Sequence, residues 1–147
     1  MSMEEDDRTI LNRRRLDAPP AAVFRAFQQP DRLARWWGPA GFRSTFHVFE
    51  FRPGGRWSFV MHGPDGTDYP NENRFETLEA HRIVVRHEAD VHGFRLTVAL
   101  SEAGGGTDLQ WRQVFDSAQE RARMEPICRP ANEQNLDRLC AELARVG

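Results

Sequence analysis

The chain has 147 residues, 39% of them hydrophobic and ten of them Phe, enough for one core and therefore for one domain. A net charge of −2, with all 20 basic residues arginine, excludes a general attraction to nucleic acid or to an anionic membrane and excludes lysine Schiff-base chemistry. No apolar run approaches the roughly 18 residues that cross a bilayer, and no charged-then-apolar signal segment opens the chain. A cytoplasmic protein without membrane insertion is expected. Glu4 to Asp7 mark residues 1–8 as a disordered acidic tail ahead of a single domain at residues 9–147.

Thr9 to Asp17 reads as a first strand. Ala18-Pro19-Pro20 breaks it and opens a helix, because proline is tolerated in a first helical turn. Val23, Phe24 and Phe27 follow at helical spacing. Pro30 is expected to end that helix, with Asp31 capping a second short one whose apolar face is Leu33, Trp36 and Trp37. The period then changes to two. Thr45 to Phe51, Arg56 to His62, Asn71 to Glu79, Arg82 to Glu88, Gly93 to Ser101 and Thr107 to Phe115 read as strands. They are parted by turns at Pro53-Gly54-Gly55, Gly63-Pro64-Asp65-Gly66 and Gly104-Gly105-Gly106. Ser117 to Glu120 has the form of a capping box. Pro126 and Pro130 should bend or divide the helix that follows, placing Cys128 near a cavity mouth. From Ala131 the stripe Leu136, Leu139, Cys140, Leu143 and Val146 is clean.

Strand, two short helices, six strands and a long helix make an α+β layout. One sheet face carries more large apolar residues than a single helix stripe covers. A strongly curved sheet wrapped around the last helix solves this and tends to leave a cavity. Phe46, Trp57, Phe59, Met61, Phe75, Phe94, Leu96 and Trp111 would form its wall, either as core alone or as core and ligand wall together. Trp36 and Trp37 would form an aromatic rim. Polar residues fall in phase with this wall: Asn71 and Asn73 with Phe75, His87 with Val85, and Gln113 with Trp111. Asn132 and Asn135 precede Leu136 on the helix stripe. Buried polar groups need partners, and these either bond one another or orient a ligand's hydroxyl or carboxylate.

Other chemistry finds little support. The five histidines form no HxH or HExxH motif and no Cys/His cluster, so no metal and no cofactor is expected. The triple glycine lacks the context of a phosphate loop, and no Gly-x-Ser-x-Gly elbow exists. Alternation sends Arg14 to the face opposite Arg13 and Arg15, which favours a solvated edge strand over a nucleic-acid patch. Cys128 and Cys140, twelve residues apart on one helix, lie roughly 18 Å apart, too far to bridge. Unbridged thiols fit a reducing compartment.

Several motifs recur together. Leu16-Asp17-Ala18-Pro19 precedes Val23-Phe24-Arg25-Ala26-Phe27, and Asp31-Arg32-Leu33 precedes Trp36-Trp37-Gly38-Pro39. Arg52-Pro53-Gly54-Gly55-Arg56-Trp57, Met61-His62-Gly63-Pro64-Asp65-Gly66 and Leu136-Asp137-Arg138-Leu139 follow in that order. The set resembles the family of activator of heat-shock protein 90 ATPase homologues, within the START-like, birch-pollen-allergen-like superfamily. The resemblance covers residues 9 to 146. It implies a helix-grip fold, a seven-stranded antiparallel sheet curled around the C-terminal helix, and a pocket that in relatives holds lipids, sterols, polyketides or hormones. It differs at Ala131-Asn132, where relatives carry Gly-Trp, which implies a roomier or more polar cavity end.

The leading reading is a non-enzymatic binder of a small hydrophobic or amphipathic molecule in a bacterial cell. The alternatives are a polyketide-cyclase-like enzyme with His87 or a nearby carboxylate as acid-base, and a stress module that meets a chaperone through its surface. A homodimer stays open. Entry is expected between the terminal helix and the loop from Gly38 to Gly41.

Overall fold

The computed structural model describes residues 6–90 and 92–146, with only the backbone of Val146. The expected tail at residues 1–5 and the place of Val146 in the apolar stripe lie outside the described residues. The elements in order are β1 (Thr9–Leu16), α1 (Pro20–Gln28), α2 (Pro30–Trp36), β2 (Arg43–Phe49), β3 (Arg56–His62), β4 (Asp68–Glu79), β5 (Arg82–Glu88), β6 (Phe94–Ala103), β7 (Gly106–Phe115) and α3 (Ala118–Val146). The strands form one antiparallel sheet in the order β1-β7-β6-β5-β4-β3-β2. This is the helix-grip fold: β2 to β7 meander, β1 returns beside β7, and the sheet curls around α3.

The register puts the expected wall on one face. Phe59 opposes Asn71, Trp57 opposes Asn73, and Asn73 opposes His87. His87 then opposes Phe94, Leu96 opposes Gln113, and Val98 opposes Trp111. Strict alternation in β2 is overturned by a bulge between Phe46 and Val48. The extra residue, His47, lets both Phe46 and Phe49 turn inward, where their rings lie 5.7 Å apart. A second bulge, between Phe75 and Thr77, keeps Phe75 and Leu78 on the inner face in the same way.

Three local expectations are corrected. Asp6 to Arg8 form a turn rather than tail: Asp6 Oδ1 accepts from the Arg8 amide at 2.9 Å and from Thr9 Oγ1 at 2.7 Å. The Arg8 carbonyl in turn accepts from the Phe115 amide at 2.8 Å. Pro30 opens α2 instead of merely ending α1, because a first helical residue has no bond for its missing N–H to lose. Gln29 is therefore the cap, and Asp31 sits in the first turn, where its charge meets the helix dipole. Finally, α3 is undivided from Ala118 to Val146, with Pro126 and Pro130 inside it. Ala122, Pro126 and Pro130 share an exposed stripe, so the carbonyls that the prolines leave unpartnered face water. Ser117 caps this helix as expected, its Oγ accepting from the Glu120 amide at 3.1 Å.

Leu136, Leu139 and Leu143 of α3 are buried with Trp57, Phe59, Phe75, Leu96, Val98 and Trp111 in one cluster. Burying each such side chain contributes about 1.5–3 kcal/mol. Arg14 points inward from the edge strand β1 and pairs with Glu133 and Asp137 of α3, each at 3.0 Å. At the other end of α3, Glu142 is buried and receives Arg32 and Arg35 from α2.

Candidate functional site

The residues that alternate inward leave a cavity of about 200 Å3 between the sheet and α3. Phe59 and Met61 of β3, Asn71 and Asn73 of β4, and Val85 and His87 of β5 line one side. Phe94 and Leu96 of β6 and Trp111 and Gln113 of β7 continue it. Cys128, Ala131, Asn132 and Asn135 of α3 face them, and Trp37-Gly38-Pro39 closes the rim.

Five of the residues expected here pack elsewhere. Trp36 is fully buried against α1, its Nε1 donating to the Ala26 carbonyl at 3.0 Å and its ring edge-on to Phe27 at 4.9 Å. The extended backbone at Trp37 carries the neighbouring indole onto Trp57 at 4.8 Å and Trp111 at 5.5 Å, with its ring still edge-on to Trp36 at 5.6 Å. Trp57 and Phe75 stack 5.6 Å apart in a layer behind the cavity wall. Phe46 packs on Trp57 and Phe59 rather than on the cavity, and Leu136 is fully buried core.

The rim is fastened by a residue that sequence reasoning noted only as part of a motif. The Arg138 guanidinium donates to the carbonyls of Arg35 at 2.7 Å, Trp37 at 3.3 Å, and Gly38 and Pro39 each at 3.0 Å. It thereby satisfies carbonyls at the end of α2, where the helix dipole favours a cation. Burial pulls Arg138 below its ordinary value. The Ala40 amide donates to Gln134 Oε1 at 3.1 Å from the same loop. Gly38 has φ +106°, and a Cβ there would lie 3.3 Å from Met61 Sδ, so both backbone and space call for glycine.

A polar network supports the α3 side of the cavity. Asn132 Nδ2 donates to Asn12 Oδ1 at 3.0 Å and to Gln113 Oε1 at 3.1 Å. Asn12 Nδ2 donates to Glu133 Oε2 at 2.7 Å. Asn12 was missed from the sequence, although its inward phase between Ile10 and Leu16 was a readable signal. On the sheet side, Asn73 lies 3.0 Å from His87 Nδ1; on α3, Asn135 Nδ2 donates to the Trp36 carbonyl at 2.8 Å. Burial first, and then the neighbouring Arg86, hold His87 below its ordinary value, so its imidazole is neutral at pH 7. Burial pushes the Cys128 thiol up, so it too is uncharged. Among the described residues, none with a formal charge lines the cavity.

A larger groove, about 630 Å3, opens on the far side between the end of β1, α1 and the end of α3. Two of its arginines are occupied, Arg15 by the Ala103 carbonyl and Arg32 by Glu142. Among the described residues, no group of three or more His, Cys, Asp or Glu could hold a metal ion. No helix there is long and apolar enough to cross a membrane.

A curled sheet gripping one helix, with an uncharged cavity between them, defines a helix-grip domain of the START-like class. The chain belongs to the family described as Activator of Hsp90 ATPase homolog 1-like protein, whose sequence profile matches residues 17–144. Among solved structures it is similar to a protein from Arthrobacter aurescens, with 24% identity, 98% of this chain and 91% of that one covered, and a TM-score of 0.88. A protein from Nitrosomonas europaea is similar at 18% identity, with 99% and 100% covered and a TM-score of 0.88. One from Chromobacterium violaceum is similar at 26% identity, with 94% and 98% covered and a TM-score of 0.80. Comparison with curated proteins gives no match.

Proposed function

We propose that this domain binds a small, uncharged, largely apolar molecule in its cavity and does no chemistry on it. The observation that carries the reading is the composition of the wall: aromatic and aliphatic side chains, a neutral imidazole and convergent amides, with no formal charge among the described lining residues. A charged ligand would lose its hydration there without a counter-charge to replace it. The volume, about 200 Å3, is below the roughly 300–1,000 Å3 of pockets for drug-sized ligands, which favours one or two fused rings over a sterol or long lipid. A cyclase-like reading would rest on His87 alone, because among the described residues no carboxylate or hydroxyl lines the cavity to complete an acid–base pair. The chaperone-partner reading needs no cavity. We place the protein in the cytoplasm.

Calorimetric titration with naphthalene-sized probes tests the proposal. Asn132→Trp places an indole in the cavity and should abolish binding. The substitution also strands two acceptors, Asn12 Oδ1 and Gln113 Oε1, at about 1–3 kcal/mol each. Ala131→Phe fills the same space without touching that network. Absence of binding to the wild type, or unchanged affinity in a well-folded Ala131→Phe variant, overturns the reading.

A further inference from the structure

Hydrogen bonds to fixed acceptors set the direction of each cavity amide and so, on the cavity-binding reading above, the chemistry its ligand meets. A backbone carbonyl can only accept, so a side-chain amide that bonds to one must turn its nitrogen there. Asn71 Nδ2 donates to the Tyr69 carbonyl at 3.1 Å, Asn73 Nδ2 to the Trp57 carbonyl at 3.1 Å, and Asn135 Nδ2 to the Trp36 carbonyl at 2.8 Å. Asn132 is fixed one step removed. Asn12 gives its Nδ2 to the Arg129 carbonyl and the Glu133 carboxylate, both acceptors, so its Oδ1 must accept from Asn132 Nδ2. The second Asn132 hydrogen goes to Gln113 Oε1.

The same logic fixes the histidine tautomer. Asn73 has spent its nitrogen on Trp57, so the atom it shows His87 is Oδ1, at 3.0 Å from Nδ1. Nδ1 is therefore the protonated nitrogen, and the neutral ring carries a lone pair on Nε2. Four asparagines and one histidine line the cavity; Asn132 has given both of its amide hydrogens and His87 its only one, whereas Asn71, Asn73 and Asn135 have each given one of two. The oxygens of Asn71, Asn132 and Asn135 and the Nε2 of His87 remain. Gln113 turns its Nε2 to within 3.9 Å of Cys128 Sγ.

We infer that this cavity selects a neutral ligand carrying a hydrogen-bond donor, a phenolic hydroxyl or a ring N–H, over a carboxylate or a donor-free analogue, with His87 Nε2 and the Asn132 side-chain oxygen as its acceptors. A carboxylate would lose its hydration with no counter-charge to replace it, and it has no proton to give to the His87 lone pair or the Asn132 oxygen. A phenol gives its proton to the lone pair and lays its ring on Phe94, Leu96 and Trp111.

Four probes of one size separate the outcomes: naphthalene, 2-naphthol, 2-methoxynaphthalene and 2-naphthoate, each titrated calorimetrically at pH 7. The expected result is 2-naphthol bound about tenfold more tightly than 2-methoxynaphthalene, the worth of about one well-made hydrogen bond, with 2-naphthoate weakest. His87→Phe keeps a flat ring and should bring 2-naphthol and 2-methoxynaphthalene to within about twofold of each other in that one variant. Nitrogen NMR of the wild type should show His87 protonated at Nδ1 and bare at Nε2, with Nε2 shifting on addition of 2-naphthol. Equal affinity for 2-naphthol and its methyl ether, a preference surviving in His87→Phe, or a ring protonated at Nε2 overturns the inference and leaves cavity binding intact. If none of the four probes binds, the binding reading itself fails and takes this inference with it.

Discussion

Replacing Glu142 by Gln should cost about 2 kcal/mol at pH 7, and that cost should fade in acid. The side chain is 3% exposed and accepts from Arg35 Nε and Nη2, Arg32 Nε and, at 3.5 Å, Arg145 Nε. The Arg35 hydrogen bonds lead, burial opposes them, and Arg32 and Arg145 add to the effect, holding the carboxyl at about 2 against an ordinary 4.5. At about 1.36 kcal/mol per pKa unit, that drop sets a ceiling of about 3.4 kcal/mol. Arg35 and Arg145 are 44% and 58% exposed, so solvent screens part of it, and about 2 kcal/mol is the working figure. The sign follows from a folded pKa below the unfolded one. The stabilisation is complete above pH 4.5 and is lost as pH falls from there through about 2. Urea unfolding of wild type and Glu142→Gln, followed by tryptophan fluorescence at pH 7, 4 and 2.5, isolates this residue, because the other acid-sensitive carboxylates are common to both chains. A gap that is constant with pH, or absent at pH 7, would refute the reasoning.

Arg138→Ala should leave the fold intact but speed probe dissociation about tenfold, the loss of roughly one net hydrogen bond from the rim, with Lys restoring only part of it because an ammonium cannot span four carbonyls. Stopped-flow release of a bound probe checks this, and an unchanged rate would show that the rim does not gate the cavity. Trp111→Ala should lower stability by about 3–5 kcal/mol in urea melts, since the indole is buried against Trp37; a loss under about 1 kcal/mol contradicts that packing. At the Pro53-Gly54-Gly55 turn, a Cβ on Gly55 would lie 2.0 Å from the Glu50 carbonyl oxygen, whereas one on Gly54 meets open space at φ +82°. Gly54→Ala should therefore cost about 1–2 kcal/mol, and Gly55→Ala clearly more; equal melting temperatures would sink the distinction.

Much of the fold was legible because period-two alternation and turn residues carry it. The inward phase of Asn73, His87 and Gln113 could be read before any register was known, since one residue of slip would have exposed Trp57 and Trp111 with them. The bulge at His47 was not legible, because nothing in Thr45 to Phe51 marks which residue is extra. The prolines of α3 misled for a definable reason: a sequence shows the missing donor but not that its carbonyl faces water. Adjacent Trp36 and Trp37 read as one aromatic rim, yet the helix ends between them, so one enters the core and the other the cavity. The directions of the amides were closed to sequence reasoning altogether, because they depend on carbonyls brought in by other strands and helices.

The pairing of β1 with β7 also dictates when the cavity can exist. Thr9 meets Val114 across about a hundred intervening residues, whereas β2 to β7 join through short turns. Closing so long a loop carries an entropy cost that the local hairpins escape. On the ribosome the meander can assemble while β1 and both short helices wait for partners. Its inner face, with Trp57, Phe75, Leu96 and Trp111, stays wet until residues 118–146 emerge and α3 docks. During synthesis that face is the hazard for misassociation. A ligand cannot template the early steps, because one wall of its site, Cys128, Ala131, Asn132 and Asn135, arrives with the last helix; it can only stabilise what has already closed.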